Sequence, residues 1–228
     1  MALILNIETA TTVCSVSIAK DGKLIAFKEQ GGEYSHAENL TVFIQDVLQQ
    51  ANVQLIELNA IAVSKGPGSY TGLRIGVSAA KGLCYALEIP LIAINTLEHL
   101  SLLVSENEKK DVLYCPMIDA RRMEVYCSVF KKNGECILPT CAKIIDENSF
   151  EDILKINTLF YFGDGAEKCK AVLSNNKNAI FIKDIFTSAK SMVKLSEQAY
   201  ANKLFEDVAY FEPFYLKDFV AGKKKEDN

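Results

Sequence analysis

The chain is short of the residues that build reactive centres. It has only two histidines, His36 and His99, and neither belongs to an H-x-x-x-H or H-E-x-x-H spacing. A metal centre needs several nitrogen, oxygen or sulfur ligands at fixed offsets. No metal site is therefore expected. His36 reads as a polar residue at a helix start and His99 as a surface residue. Cysteine occurs seven times but never as C-x-x-C; the odd count and the apolar neighbours imply reduced, buried thiols rather than a disulfide frame. Ser69 stands outside any G-x-S-x-G, so the usual hydrolase signature is missing. Met1–Glu8 has no basic leader region and soon meets polar residues, so neither a signal peptide nor a membrane span is expected there. A cytoplasmic location follows as an expectation.

Positive charge is in slight deficit, 25 Lys and Arg against 29 Asp and Glu. The formal net charge is −4 and the pI about 5.4. A protein that gripped nucleic acid unaided would carry a basic face. The one dense basic run, Lys223–Lys225, is followed at once by Glu226 and Asp227. Residues 219–228 therefore read as a solvated, disordered tail. What remains is an ordinary globular balance, 49% hydrophobic and 24% charged.

The most informative stretch is Ser64-Lys-Gly-Pro-Gly-Ser-Tyr-Thr-Gly-Leu-Arg-Ile-Gly76. An apolar strand, Ala60–Val63, precedes it and a helix to Leu87 follows, so Gly66-Pro67-Gly68 is a strand-to-helix turn with Ser69 or Thr71 as N-cap. In that helix Gly72, Gly76 and Ala80 lie four apart, with Ala79 and Leu83 beside them. Residues at this spacing share one face, and each helical glycine costs about 1 kcal/mol relative to alanine. Some other backbone is expected close by. It belongs either to this chain's own sheet or first helix, or to a second protein, and the second reading is preferred. Lys65 and Arg74 flank the turn, placed either to meet an anion at the helix N-terminus or to pair with local carboxylates.

Three strands, Leu3–Ile7, Val13–Ile18 and Leu24–Phe27, form a meander with a hairpin at Asp21-Gly22. Ser35 then caps a helix from about His36 to Ala51, whose apolar set Leu40, Phe43, Ile44, Val47, Leu48 and Ala51 follows a helical period. Strand Ala60–Val63, the glycine-faced helix, strand Leu91–Ile94 and a helix capped by Thr96 complete a βββαβαβα order. A charged break at Ser105–Asp111 divides the chain. The remainder repeats the order in degraded form. Its strands are Val112–Ile118, Glu124–Phe130, Cys136–Thr140, Leu159–Phe162 and Ile180–Ile182. Its helices are capped by Ser149, begin near Ala166, and run from Ser188 to about Leu204. The expected fold is α/β with two lobes, residues 1–105 and 106–218.

A duplicated βββαβαβα unit is the pattern of the actin-like, ribonuclease H-like ATPase fold. Within it the chain resembles the bacterial TsaB (YeaZ) family through Ile7-Glu-Thr-Ala10, Ser35-His-Ala-Glu38, Gly66–Gly76, Asp119-Ala-Arg-Arg122 with Glu124-Val-Tyr126, and Pro213-Phe-Tyr-Leu-Lys217. The resemblance implies a non-catalytic subunit. It supports a TsaD-like enzyme that makes N6-threonylcarbamoyladenosine at adenosine thirty-seven of tRNA. It also implies a TsaE-like ATPase reached through the complex, a homodimer when unpartnered, and tRNA contact only via the complex. Docking would use the first two helices, through Leu40, Phe43, Val47, Gly72, Gly76, Ala79, Ala80 and Leu83, over roughly 800 Å² per partner. The superfamily's phosphate turn corresponds to Glu8–Thr12, which has no glycine. No cofactor of its own is expected; a nucleotide at the partner interface stays open. The alternatives are a stand-alone ATPase, kinase or hydrolase, and a homodimer with an unrelated binding role.

Overall fold

The computed structural model describes residues 2–32, 36–106, 108 and 110–217. Ser35 and the basic tail run lie outside them. The first half contains β1 (Leu3–Glu8), β2 (Val13–Lys20), β3 (Lys23–Gly31), α1 (His36–Ala51), β4 (Ala60–Gly66), α2 (Tyr70–Leu87), β5 (Leu91–Asn95) and α3 (Thr96–Ser105). The second half contains β6 (Leu113–Asp119), β7 (Glu124–Phe130), β8 (Cys136–Ile144), α4 (Glu151–Leu154), β9 (Leu159–Phe162), α5 (Ala166–Leu173), β10 (Ala179–Phe181) and α6 (Ala189–Ala201). Both halves read βββαβαβα, as expected. The sheet orders match as well: β3-β2-β1-β4-β5 in one and β8-β7-β6-β9-β10 in the other. The wear in the second copy is visible in α4, with 4 residues, and β10, with 3.

Each sheet is covered on both faces, which explains its central strands. β1 and β9 are buried at every residue, and a strand buried on two sides reads as a continuous apolar run. On the outer face of the first sheet, α1 packs on β2 and β3, and α2 packs on β4. Leu40, Phe43, Ile44, Val47 and Leu48 enter that core with Val77, Ala80 and Cys84. On the outer face of the second sheet, α4 and α5 supply Leu154, Cys169 and Leu173.

The inner faces are covered by exchange. α3 follows a strand of the first sheet, yet packs on β6 and β7 of the second. Its Leu97, Leu100 and Val104 lie among Tyr114, Ile118, Phe130, Phe160 and Phe162. α6 follows the second sheet, yet packs on β1, β2, β3 and β5 of the first. Its Ala189 and Met192 lie among Ile4, Ala60, Ala62, Ile92 and Ile94. α3 and α6 also touch each other. The molecule is thus layered helix, sheet, helix pair, sheet, helix.

Two cap expectations and one helix end change. Asn95, not Thr96, caps α3; its Oδ1 accepts from the N–H groups of Leu97 and Glu98 at 2.9 and 3.2 Å. Ser149 closes a local turn by donating to Asp146 Oδ1 at 2.8 Å, while Phe150, at φ 65°, holds the N-cap position of α4. α6 stops at Ala201 rather than Leu204. Ser188 does cap α6, accepting from Lys190 N–H at 3.4 Å.

Candidate functional site

Everything distinctive gathers where the turn between β1 and β2 meets the turn before α2. Gly66 sits at φ 109°, a conformation an L side chain resists, and the Gly66–Pro67 peptide is cis. Ser69 Oγ caps α2 by accepting from Gly72 N–H at 3.3 Å. Ser69 N–H donates to the Ala10 carbonyl at 2.6 Å, and Thr9 Oγ1 donates to the Gly72 carbonyl at 2.8 Å. A Cβ at Gly68 would collide with the Ala10 carbonyl oxygen, one at Gly72 with the Thr9 carbonyl oxygen, and one at Gly76 with Thr9 Oγ1.

The backbone lying against the glycine stripe is therefore the chain's own turn after β1. This corrects the preferred reading of the stripe. Leu40, Phe43, Val47, Gly72, Gly76 and Ala80 are all buried inside the chain. Ala79 and Leu83 are half-buried and pack against the same core. The reason is geometric: α2 must approach the Thr9–Ala10 backbone closely, and only positions without a Cβ permit it.

The outward surface of the same helices carries Thr41, Val42, Gln45 and Gln49 on α1, with Ser78, Gly82 and Tyr85 on α2. Val42 is 49% exposed and Tyr85 82%. Gly82 differs from the buried glycines, because a Cβ there would meet nothing within 4 Å. Its helical cost has no internal explanation. The sequence signal for it is a third glycine off the register of the stripe.

A chain of buried polar contacts lies beneath the β1–β2 turn. Glu8 Oε1 accepts from Ala10 N–H at 2.5 Å, and Glu8 Oε2 lies 2.6 Å from His99 Nε2. His99 Nδ1 lies 2.8 Å from Ser191 Oγ. Ser191 donates its own hydrogen to the Ser188 carbonyl at 2.7 Å, so the Nδ1 hydrogen of His99 fills the contact with Ser191. His99 is 0% exposed, not the surface residue expected. The chain links β1 through α3 to α6, and Thr11 reinforces it by pairing with Thr187 Oγ1 at 2.7 Å. His36, on α1, meets the Thr11 carbonyl through Nε2 at 2.6 Å.

The corresponding turn of the second half is charged. Arg121 and Arg122 both take left-handed backbone, at φ 71° and 50°. Arg121 N–H donates to Asp119 Oδ1 at 2.7 Å. Lys168 pairs with Asp119 and donates to the Glu124 carbonyl at 2.6 Å. Gly163 and Gly165 press on the backbone of Met117 and Ile118, so Gly163-Asp164-Gly165 is a packed structural turn. Between Thr11, Leu100, Ile118, Gly163 and Thr187 the cleft leaves no water-sized cavity.

Residues 202–217 strap the outside of this junction. Phe214 N–H donates to the Lys65 carbonyl at 2.7 Å. Arg74 stacks 4.2 Å from the centre of the Tyr70 ring and donates Nε–H to Tyr215 OH at 3.3 Å. Lys217 pairs with Glu124 of β7. Arg74 is thereby engaged with the strap. Among the described residues, no group of three or more His, Cys, Asp or Glu side chains is arranged to hold a metal ion, and no helix is long and apolar enough to cross a membrane.

A family model described as TsaD, tRNA N6-adenosine threonylcarbamoyltransferase, matches residues 30–225. The chain is 30% identical over 229 aligned positions to the tRNA threonylcarbamoyladenosine biosynthesis protein TsaB of Escherichia coli K12, covering 97% of each. It is 35% identical over 132 residues to a tRNA N6-adenosine threonylcarbamoyltransferase of Staphylococcus aureus, covering 51% of this chain and 38% of that one. A crystal structure described as YeaZ from Pseudomonas aeruginosa superposes with a TM-score of 0.81 at 26% identity, covering 95% of this chain and all of the other. The chain belongs to the TsaB (YeaZ) family.

Two outcomes follow from the geometry. Gly72→Ala lowers unfolding free energy by about 2–4 kcal/mol in urea titration, because overpacking against backbone has no flexible side chain to yield, whereas Gly82→Ala raises it by about 1 kcal/mol. His99→Leu costs about 3–5 kcal/mol by leaving a buried carboxylate without its partner, whereas Lys28→Ala, which breaks the exposed 3.1 Å pair with Asp46, costs less than about 1 kcal/mol.

Proposed function

We propose that this TsaB-family chain is a non-catalytic subunit in the formation of N6-threonylcarbamoyladenosine at adenosine thirty-seven of tRNA. Its task is to dock, through the outward faces of α1 and α2, on a TsaD-like catalytic subunit. The observation that carries the reading is Gly82. It is a mid-helix glycine facing open space, beside exposed Ser78 and Tyr85, and its cost of about 1 kcal/mol is offset when another helix packs against it. The curated relative's name supplies the pathway. The match to a transferase over half of this chain supports a pairing in which related helices meet across a pseudo-twofold axis.

The same face serves a homodimer when the enzyme is absent, and a TsaE-like ATPase is reached through the enzyme. Residues 1–105 form the docking lobe and residues 106–218 the supporting lobe. The non-catalytic role is supported by the burial of Glu8, His99 and Ser191 against one another below the surface. Contact with tRNA falls to the complex, as the net charge of −4 gives this chain little attraction for phosphates. Its cysteines, all free, suit the cytoplasm.

The test is pull-down of the TsaD-like subunit by Gly82→Arg. The variant is expected to melt at or above the parent temperature, since its side chain projects into open space and a helical glycine is removed, and to bind at least about tenfold more weakly. Undiminished binding would remove α2 from the interface and overturn the docking reading.

A further inference from the structure

We propose that Cys127 and Cys141 are a thiol-modification site that hydrogen peroxide converts to a reversible cross-strand disulfide. Cys127 on β7 and Cys141 on β8 are direct partners in the antiparallel register. Residues so paired have Cα atoms about 4.5 or 5.5 Å apart, depending on the hydrogen-bonding class, and a disulfide accepts about 4.4–6.8 Å. Both side chains belong to the outer-face core of the second sheet, where Cys115 and Cys169 also lie.

Cys115 is the competing partner. It stands on β6, where Met117 is the residue opposite Cys127, so Cys115 is a diagonal neighbour. Diagonal neighbours are about 7–8 Å apart, their Cβ atoms somewhat less, against about 4.5–5.5 Å between the Cβ atoms of opposed residues, and a disulfide needs about 3.5–4.5 Å. The opposed pair therefore closes first. The register shift just after Cys127 gives the β7–β8 ladder a bulge that absorbs the remaining movement.

Access and acidity fall on the two different members of this pair. Cys141 is half-exposed while Cys127, Cys115 and Cys169 are buried. The Cys115 thiol beside Cys127 holds it below the usual thiol range, assisted by Cys141 and by the charge of Lys143 and opposed by burial. Burial pushes Cys141 up to about 11. Cys127 is therefore the attacking sulfur and Cys141 the resolving one.

The Cys127 thiolate attacks one oxygen of hydrogen peroxide, the O–O bond breaks, and the departing hydroxide takes a proton to become water. Cys127 is left as sulfenic acid. The Cys141 sulfur then attacks that sulfur. The S–S bond forms, the S–O bond breaks, and the second hydroxide leaves as water with the Cys141 thiol proton. In balance, two thiols and one peroxide give one disulfide and two waters, the thiols supplying both electrons.

The full-length protein is treated with hydrogen peroxide, denatured, alkylated and mapped by mass spectrometry. The expected product is two hydrogens lighter, carries two fewer alkylated cysteines, yields a Cys127–Cys141 crosslinked peptide, and reverts with dithiothreitol. Cys141→Ser is expected to abolish the crosslink and let dimedone trap the sulfenic acid at Cys127. Cys115→Ser, an independent variant, is expected to retain the crosslink. Seven alkylatable cysteines after treatment, oxidation confined to exposed Cys136, or a crosslink to Cys115 instead would each overturn the assignment.

Discussion

The architecture of the first half depends on the contact between α2 and the Thr9–Ala10 turn. Three glycines clear the space, one hydroxyl and one amide fill the hydrogen bonds, and the helix then lies flat on β4 with Val77, Ala80 and Cys84 in the core. A single β-carbon at the centre of that seat would push helix and sheet apart. With the inner face of α2 so committed, its free surface is the opposite side, where Ser78, Gly82 and Tyr85 stand. The inner seat also fixes the angle at which that outer face is presented.

The second constraint is the exchange of α3 and α6. Each inner helix completes the core of the half it does not belong to, so neither half buries its apolar faces alone. The polar chain Glu8, His99 and Ser191 runs through the helix pair and makes the exchange specific in register. Apolar packing would tolerate small slips between α3 and α6; a buried carboxylate matched to one imidazole does not, since an unpaired buried charge costs several kcal/mol. A molecule built this way holds its two sheets in one arrangement, with the strap from Phe214 to Lys217 tying the outside. A rigid body of that kind suits the presentation of a surface better than the opening of a cleft.

Much of this was legible in the sequence. The hairpin at Asp21-Gly22, the α1 core positions and the duplicated element order came from period and turn chemistry. The glycine stripe was legible as a close approach but not as to whose backbone approaches. Helical spacing marks a face and is silent about which surface lies against it. The burial of His99 is not legible locally, because its partners, Glu8 and Ser191, come from β1 and α6, far away in the chain. A lone histidine in an apolar helix gives no local hint of them. The caps at Asn95 and Phe150 were displaced by one residue, since Asn95 and Thr96 are both good caps in sequence and the backbone decides between them. Gly82 breaks the register of the stripe, and that offset is what marks it as outward-facing.

The central claim is that the free outer faces of α1 and α2 are where this chain meets its catalytic partner. Amide hydrogen exchange of the full chain, alone and mixed with the TsaD-like subunit, addresses it directly. The account predicts added protection concentrated in residues 36–51 and 70–87, with residues 119–122 and 163–165 unchanged. Protection centred on those two cleft turns, with both helices exchanging as in the free chain, would contradict it.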